Sequence, residues 1–199
     1  MKKYLPLLSG LLFVALTVAA VEYLALKKTN GHFCYPLDDT FIHMAVSKNL
    51  ALHGNWGITP SGFVSTSSSP LFTIVLALFF KLFSVKLLMP LLISSIGTVL
   101  IIIAIQKELA THSRLSTNNQ VLCMLATLLT GAIPALTLLG MEHTLQIAFT
   151  LFFVHSIACL LQAKDRQHYW RAAAWAALMT ATRYENVFFV MAAFGLLAL

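Results

Sequence analysis

The sequence predicts an all-α, multi-pass integral membrane protein with about five transmembrane helices, and three observations lead there. Hydrophobic residues make up 59% of the 199 residues and charged residues 10%, against about 45–50% and about 25% in soluble domains. Several apolar runs approach the roughly 20 residues that cross about 30 Å of hydrocarbon as a helix. They are continuous instead of alternating, so they read as helices, which satisfy every backbone amide within lipid. Third, polar residues gather in one long segment, Tyr35 to Leu71, where two of the chain's seven acids, Asp38 and Asp39, stand side by side. The formal charge of +6 comes from basic residues beside the apolar runs. Membrane orientation accounts for them, and no nucleic-acid partner is implied. Cys123 and Cys159 lie within apolar runs and Cys34 in the polar segment, so no disulfide framework is indicated.

Residues 1–26 open with Lys2 and Lys3, run apolar, and are followed by Lys27 and Lys28. Val18-Ala19-Ala20 would suit a signal-peptide cleavage site, but the apolar run continues past it, so the segment reads as an uncleaved first span. Residues 29–83 read as a periplasmic loop that carries its own helices. One starts with Asp38 as N-cap and Asp39 in the first turn, and ends at Gly54. The glycines, Pro60 and the Ser65–Ser69 run that follow read as irregular loop. Whether the short apolar run at residues 70–83 crosses the membrane decides the sidedness of everything downstream. If it crosses, about four basic residues lie inside and eight outside. If it lies on the surface the count is seven inside and five outside, as the orientation rule prefers. It is therefore expected as a juxtamembrane helix.

Residues 87–105, 121–139 and 144–161 are expected to cross in turn. Polar loops separate them at 106–120 and, on the outer face, at 140–143. A basic loop at 162–171, carrying Lys164, leads to a fifth span from Ala172 onward. That span carries Arg183 and Glu185, placed by the rise of 1.5 Å per residue about 17 Å and 20 Å from its cytoplasmic end. Charges at that depth are expensive and usually face a cavity or a partner. Two residues apart on one helix, they are expected on different sides and unable to neutralise each other. The apolar run reaching Leu199 makes the chain look like the N-terminal part of a longer protein.

On this topology Asp38, Asp39, Glu142, Arg183 and Glu185 converge at the outer leaflet. Paired carboxylates beside a cavity suit proton removal from a hydroxyl nucleophile, and a guanidinium in the same cavity suits a phosphate. Base plus phosphate clamp implies transfer from a phosphorylated donor. Each group has a plainer reading. Asp38 is a natural N-cap, Glu142 a helix-start residue, Arg183 and Glu185 residues with a purely structural interhelical role, and the serine run a flexible loop. Asp39 and His43, near His32 and His53, are compatible with a divalent metal, which the sequence does not require.

Four segments carry a resemblance. They are the stretch from Pro36 to Pro60, with DDTFIHMAVSKNLALHGNWGITP from Asp38 onward, the following SSSPLFTIVLALFFKLF, then LLGMEHTLQIAFTLFF, and ATRYENVFF. Their order and spacing resemble the GT-C superfamily of integral-membrane glycosyltransferases, in particular bacterial members related to dolichyl-phosphate-mannose protein mannosyltransferases and to arabinosyl and aminoarabinose transferases. The resemblance implies a polyprenyl-phosphate-linked sugar donor and inverting transfer to a glycan, lipid or protein hydroxyl on the periplasmic side of the inner membrane. It implies Asp38 as leading general base, Asp39 as its neighbour and alternative, and Glu142 as a second acid. Arg183 would face the lipid phosphate. Apart from the resemblance, Glu185 and His43 are also expected among the substrate-binding residues. Arg-Tyr-Glu-Asn departs from relatives that carry proline and glycine around that acid. Two rival expectations are a non-enzymatic protein that binds or translocates a lipid-phosphate-linked sugar, and a structural or assembly membrane protein.

Overall fold

The computed structural model describes residues 2–60, 62–112, 114–162 and 166–197, so Lys164 and Leu199 fall outside the described residues. Among these the chain is helical and contains no strand. The helices are α1 (Leu5–Lys28), α2 (Asp39–His53), α3 (Pro70–Phe83), α4 (Met89–His112), α5 (Thr117–Thr130), α6 (Ile133–Leu138), α7 (His143–Gln162), α8 (Arg166–Thr182) and α9 (Asn186–Leu197). Three of them are long and apolar enough to cross a membrane: α1, α4 over Met89–Thr111, and α7. Their apolar surface faces outward as well as inward. On α1, Leu8, Leu12 and Leu16 repeat every four residues and are each about 60% exposed, a stripe suited to lipid and costly in water.

Contacts along the helices show how they run. Gln106 on α4 donates to the carbonyl of Lys3 beside the start of α1 (3.1 Å), while Val14 and Val18 of α1 lie near Ser95 and Thr98 of α4. These two helices are therefore antiparallel. α7 runs parallel to α4, with Thr144 donating to Ser94 O (2.9 Å) near their starts and His155 contacting Glu108 further along. α8 returns beside α7: Trp175 stacks on Phe152 with ring centroids 4.7 Å apart. One end of the bundle thus gathers the starts of α4 and α7 and the end of α8. The opposite end gathers the start of α1, the ends of α4 and α7 and the starts of α5 and α8.

The segment between α1 and α4 is fastened at both ends to the first of these. Tyr35, buried, donates its hydroxyl to Leu87 O (2.8 Å) and accepts from Leu91 N (3.0 Å). Thr40 donates to Leu139 O (2.7 Å). Between those anchors α3 packs on α2, where Ser47 donates to Thr73 O (3.0 Å) and Phe72, Leu76 and Phe80 are fully buried. The helix expected over residues 70–83 is α3, and both chain segments flanking it lie at the same end of the bundle.

Two expected spans are built differently. The run at 121–139 is interrupted: α5 ends at Gly131, Ala132 takes a left-handed conformation (φ 50°), and Pro134 opens α6. Proline supplies no amide donor to the preceding turn, which stops a straight helix here. The fifth run does not continue past Thr182. Arg183, Tyr184 and Glu185 form a turn, and α9 doubles back along α7, with Phe189 and Phe194 both edge-on to Phe153 at 6.0 Å. Arg183 and Glu185 therefore sit at the end of the bundle and not along a continuous helix.

Candidate functional site

The turn between α6 and α7 builds the centre of the site. Gly140 is left-handed (φ 63°), and a Cβ there would overlap the Tyr35 ring, so only glycine lets this turn close onto the anchor. Close packing of α4 on α7 holds it from below: a Cβ on Gly97 would meet Thr144 Oγ1 at 2.5 Å, and Ser94 donates to Met141 O (2.9 Å). The next residue, Glu142, is consequently fully buried.

Glu142 draws together side chains distant in sequence. Its Oε1 accepts from Arg183 Nη1 (3.2 Å), and its Oε2 lies 3.6 Å from His43 Nε2. That second oxygen is buried and has no hydrogen-bond partner among the described residues, an arrangement that costs free energy unless something fills it. His43 Nδ1 lies 3.2 Å from Ser67 Oγ, which in turn is 2.7 Å from Thr73 Oγ1. Burial pushes His43 below its ordinary value against the opposing pull of Glu142 and Asp39, which keeps the imidazole neutral near pH 7.

Around these groups is a pocket of about 210 Å³, lined by Asp39, His43, Thr66, Ser68, Glu142 and Arg183 among others. Asp39 borders it, whereas Asp38, the leading base by resemblance, does not. Asp38 holds the N-cap position through its carbonyl, which accepts from the amides of Phe41 and Ile42. Its backbone is already helical and its side chain makes no capping bond among the described residues. The plain N-cap reading of its carboxylate is thus corrected, because a helical ψ turns the side chain away from the N3 amide.

Arg183 and Glu185 do pair, contrary to the expectation from a continuous helix. The guanidinium faces Glu185 through Nη2 (3.1 Å) and Nε (3.4 Å) while Nη1 reaches Glu142. The turn at residues 183–185 brings together two side chains that a helix would hold apart. The hydrogen bond with Glu185 is the main reason that Arg183 is held more firmly charged and Glu185 more acidic than usual. Asn186 closes the turn by donating to Met179 O (2.8 Å).

Ser67, Thr73 and His143 belong to the site, and nothing in the sequence singles them out as chemistry. Only the position of His143 next to Glu142 could have flagged it; the serine run reads as loop until His43 is placed against it. No three His, Cys, Asp or Glu side chains among the described residues converge to hold a metal ion. His32 and His53 do not line the pocket.

Comparison of the chain with protein-family models, with curated proteins and with solved structures finds no match.

Proposed function

We propose that this chain is the membrane part of a glycosyltransferase that takes a sugar from a polyprenyl-phosphate-linked donor and passes it to an acceptor hydroxyl. The observation that carries the reading is the pocket in which Asp39, the buried Glu142 with one oxygen unpartnered among the described residues, and Arg183 meet. In this reading Asp39 accepts the proton of the acceptor hydroxyl, and the oxygen attacks the anomeric carbon. The carbon–oxygen bond to the lipid phosphate breaks, and the phosphate leaves toward the Arg183 guanidinium. Glu142 holds Arg183 in position, and neutral His43, tied to Ser67, borders the same space.

In the same proposal α1, α4, α5 with α6, α7 and α8 make five crossings of the inner membrane, and residues 29–83, α2 and α3 included, lie on the periplasmic side. The stretches read from the sequence as cytoplasmic carry seven basic residues, Lys2, Lys3, Lys107, Arg114, Lys164, Arg166 and Arg171, in keeping with that orientation.

The test is consumption of radiolabelled polyprenyl-phosphate sugars by membranes containing the protein. Asp39→Asn should lower turnover by about 100-fold or more, and Asp38→Asn should leave most of it. Normal turnover in Asp39→Asn overturns the assignment. The exposure of both aspartates favours one second reading, a non-enzymatic binder of the lipid phosphate. It predicts donor binding that depends on Arg183, with no turnover and no effect of either aspartate.

A further inference from the structure

A second cluster of reactive side chains lies far from this pocket, where α4 and α7 approach the opposite end of the bundle. Glu108 Oε1 contacts His155 Nδ1 (2.5 Å). His155 Nε2 in turn lies 3.7 Å from the thiol of Cys159, one helical turn further along α7. A carboxylate on Nδ1 fixes the imidazole tautomer that leaves Nε2 free to accept a proton. Base, orienting acid and thiol therefore stand in the order that activates a cysteine nucleophile. Cys159 is three residues from the end of α7 at Gln162, about 4.5 Å along the axis. The other cysteine of the apolar runs, Cys123 on α5, has no comparable contact with a histidine among the described residues.

The same histidine and carboxylate border a crevice of about 290 Å³ between α4 and α7, whose walls are otherwise apolar: Ile105, Leu109, Leu151 and Phe152, with Lys107 beside them. Cys159 itself does not line the slot; it reaches it through His155. A thiol paired with a histidine that borders an oily slot with one cation in its lining fits a reagent that combines a hydrocarbon chain with an anionic carrier.

We propose that Cys159 is a self-acylating thiol that takes a long-chain acyl group from an acyl thioester of a phosphate-bearing carrier. His155 takes the thiol proton, and the sulfur attacks the carbonyl carbon. The new carbon–sulfur bond forms as the bond to the carrier's sulfur breaks, and the carrier leaves as a thiol with the proton from His155. The acyl chain then lies in the crevice, and Lys107 faces the carrier's phosphates. This site is separate from the transferase pocket and stands or falls without it.

The test is incubation of the purified protein in detergent with an alkyne-tagged palmitoyl coenzyme A thioester, followed by peptide mapping. Hydroxylamine-labile label is expected on Cys159 and absent in Cys159→Ser. Glu108→Gln, at a half-exposed position, and His155→Gln should each retain the unfolding transition and slow labelling, the latter by about 100-fold. Alkylation by a small maleimide supplies a second readout: Cys159 should react faster than Cys123 at neutral pH, and His155→Gln should remove that advantage. Equal labelling of Cys34 or Cys123, or an unchanged Cys159 rate in a folded His155→Gln, overturns the proposal.

Discussion

Gly140 decides whether the site can form, because it combines a left-handed backbone with a contact no side chain can share. Gly140→Ala carries about 1–2 kcal/mol from the backbone alone, and the buried Tyr35 ring must then move off Leu87 and Leu91. The expected outcome is a clearly lower unfolding temperature in detergent, together with greater exposure of Tyr35 to solvent. His43 gives a pH dependence of definite sign. Its folded value lies below the ordinary 6.5 through burial, so the folded protein binds fewer protons than the unfolded chain. The His43 contribution to stability is complete above about 6.5 and is lost as pH falls through the folded value. Asp39, Glu142, His143 and Arg183 act on the same ring. Unfolding temperatures measured at pH 7.5 and pH 5 should fall on acidification, and His43→Gln should flatten part of that slope. At this scale the charged cast was legible in the sequence, because acids are few and an Arg–Glu pair within an apolar run is conspicuous. Their partners were not: Glu142 meets His43 across 99 positions, and only the folded turn shows that Asp39, and not Asp38, borders the pocket.

Elements were legible where composition speaks locally, and less so where a break has no signature. The end of α2 follows from Gly54, which takes the left-handed cap (φ 70°), and α3 follows from Pro70 and an apolar run that ends near Lys81; α2 does start where Asp38 is expected to cap it, but without a bond from the Asp38 side chain among the described residues. Gly131 and Pro134 together could have announced the division of α5 from α6. By contrast, Thr182-Arg183-Tyr184-Glu185 contains neither glycine nor proline. The turn there is set by tertiary contacts, Arg183 on Glu142 and Asn186 on Gln146 and Met179. α4 and α7 touch closely enough at Gly97 that a methyl group would meet Thr144 Oγ1 at 2.5 Å and Leu145 N at 2.8 Å. The second contact is backbone, so the helices must separate. Gly97→Ala should cost about 1–3 kcal/mol as overpacking, and Gly97→Leu should abolish the folded state as judged by size-exclusion in detergent. Separation at that level would also loosen Ser94 from Met141 O, and so release Glu142.

For the whole molecule, the two ends of the bundle differ in chemistry. One holds Asp38, Asp39, Glu142 and Glu185, with Glu22 acting on Tyr35 beside them, five of the chain's seven acids, together with the α2–α3 layer. The other holds Glu108, His155 and Cys159 toward the ends of α4 and α7. With Arg183 placed in a turn at the acidic end, the basic count becomes seven against six, a margin narrow enough that the orientation rule alone does not decide sidedness. What supports it is the anchoring of the chain on both sides of α3: Ser67 lies against His43 before it, and Leu87 against Tyr35 after it. A topology in which α3 crosses the membrane would need the five residues 84–88 to climb back along the whole 21 Å or so of a 14-residue helix, more than the roughly 18 Å that five residues span when fully extended. The two ends should therefore face opposite compartments, with no crossing between α2 and α4. Reporter fusions after Pro60 and after Arg114 should report opposite sides, and Cys34 should react with a membrane-impermeant maleimide from the same side as the residue-60 reporter. Reporters on the same side, or Cys34 labelled only from the side of Arg114, would rule this topology out and would remove the common chamber that the transferase reading requires.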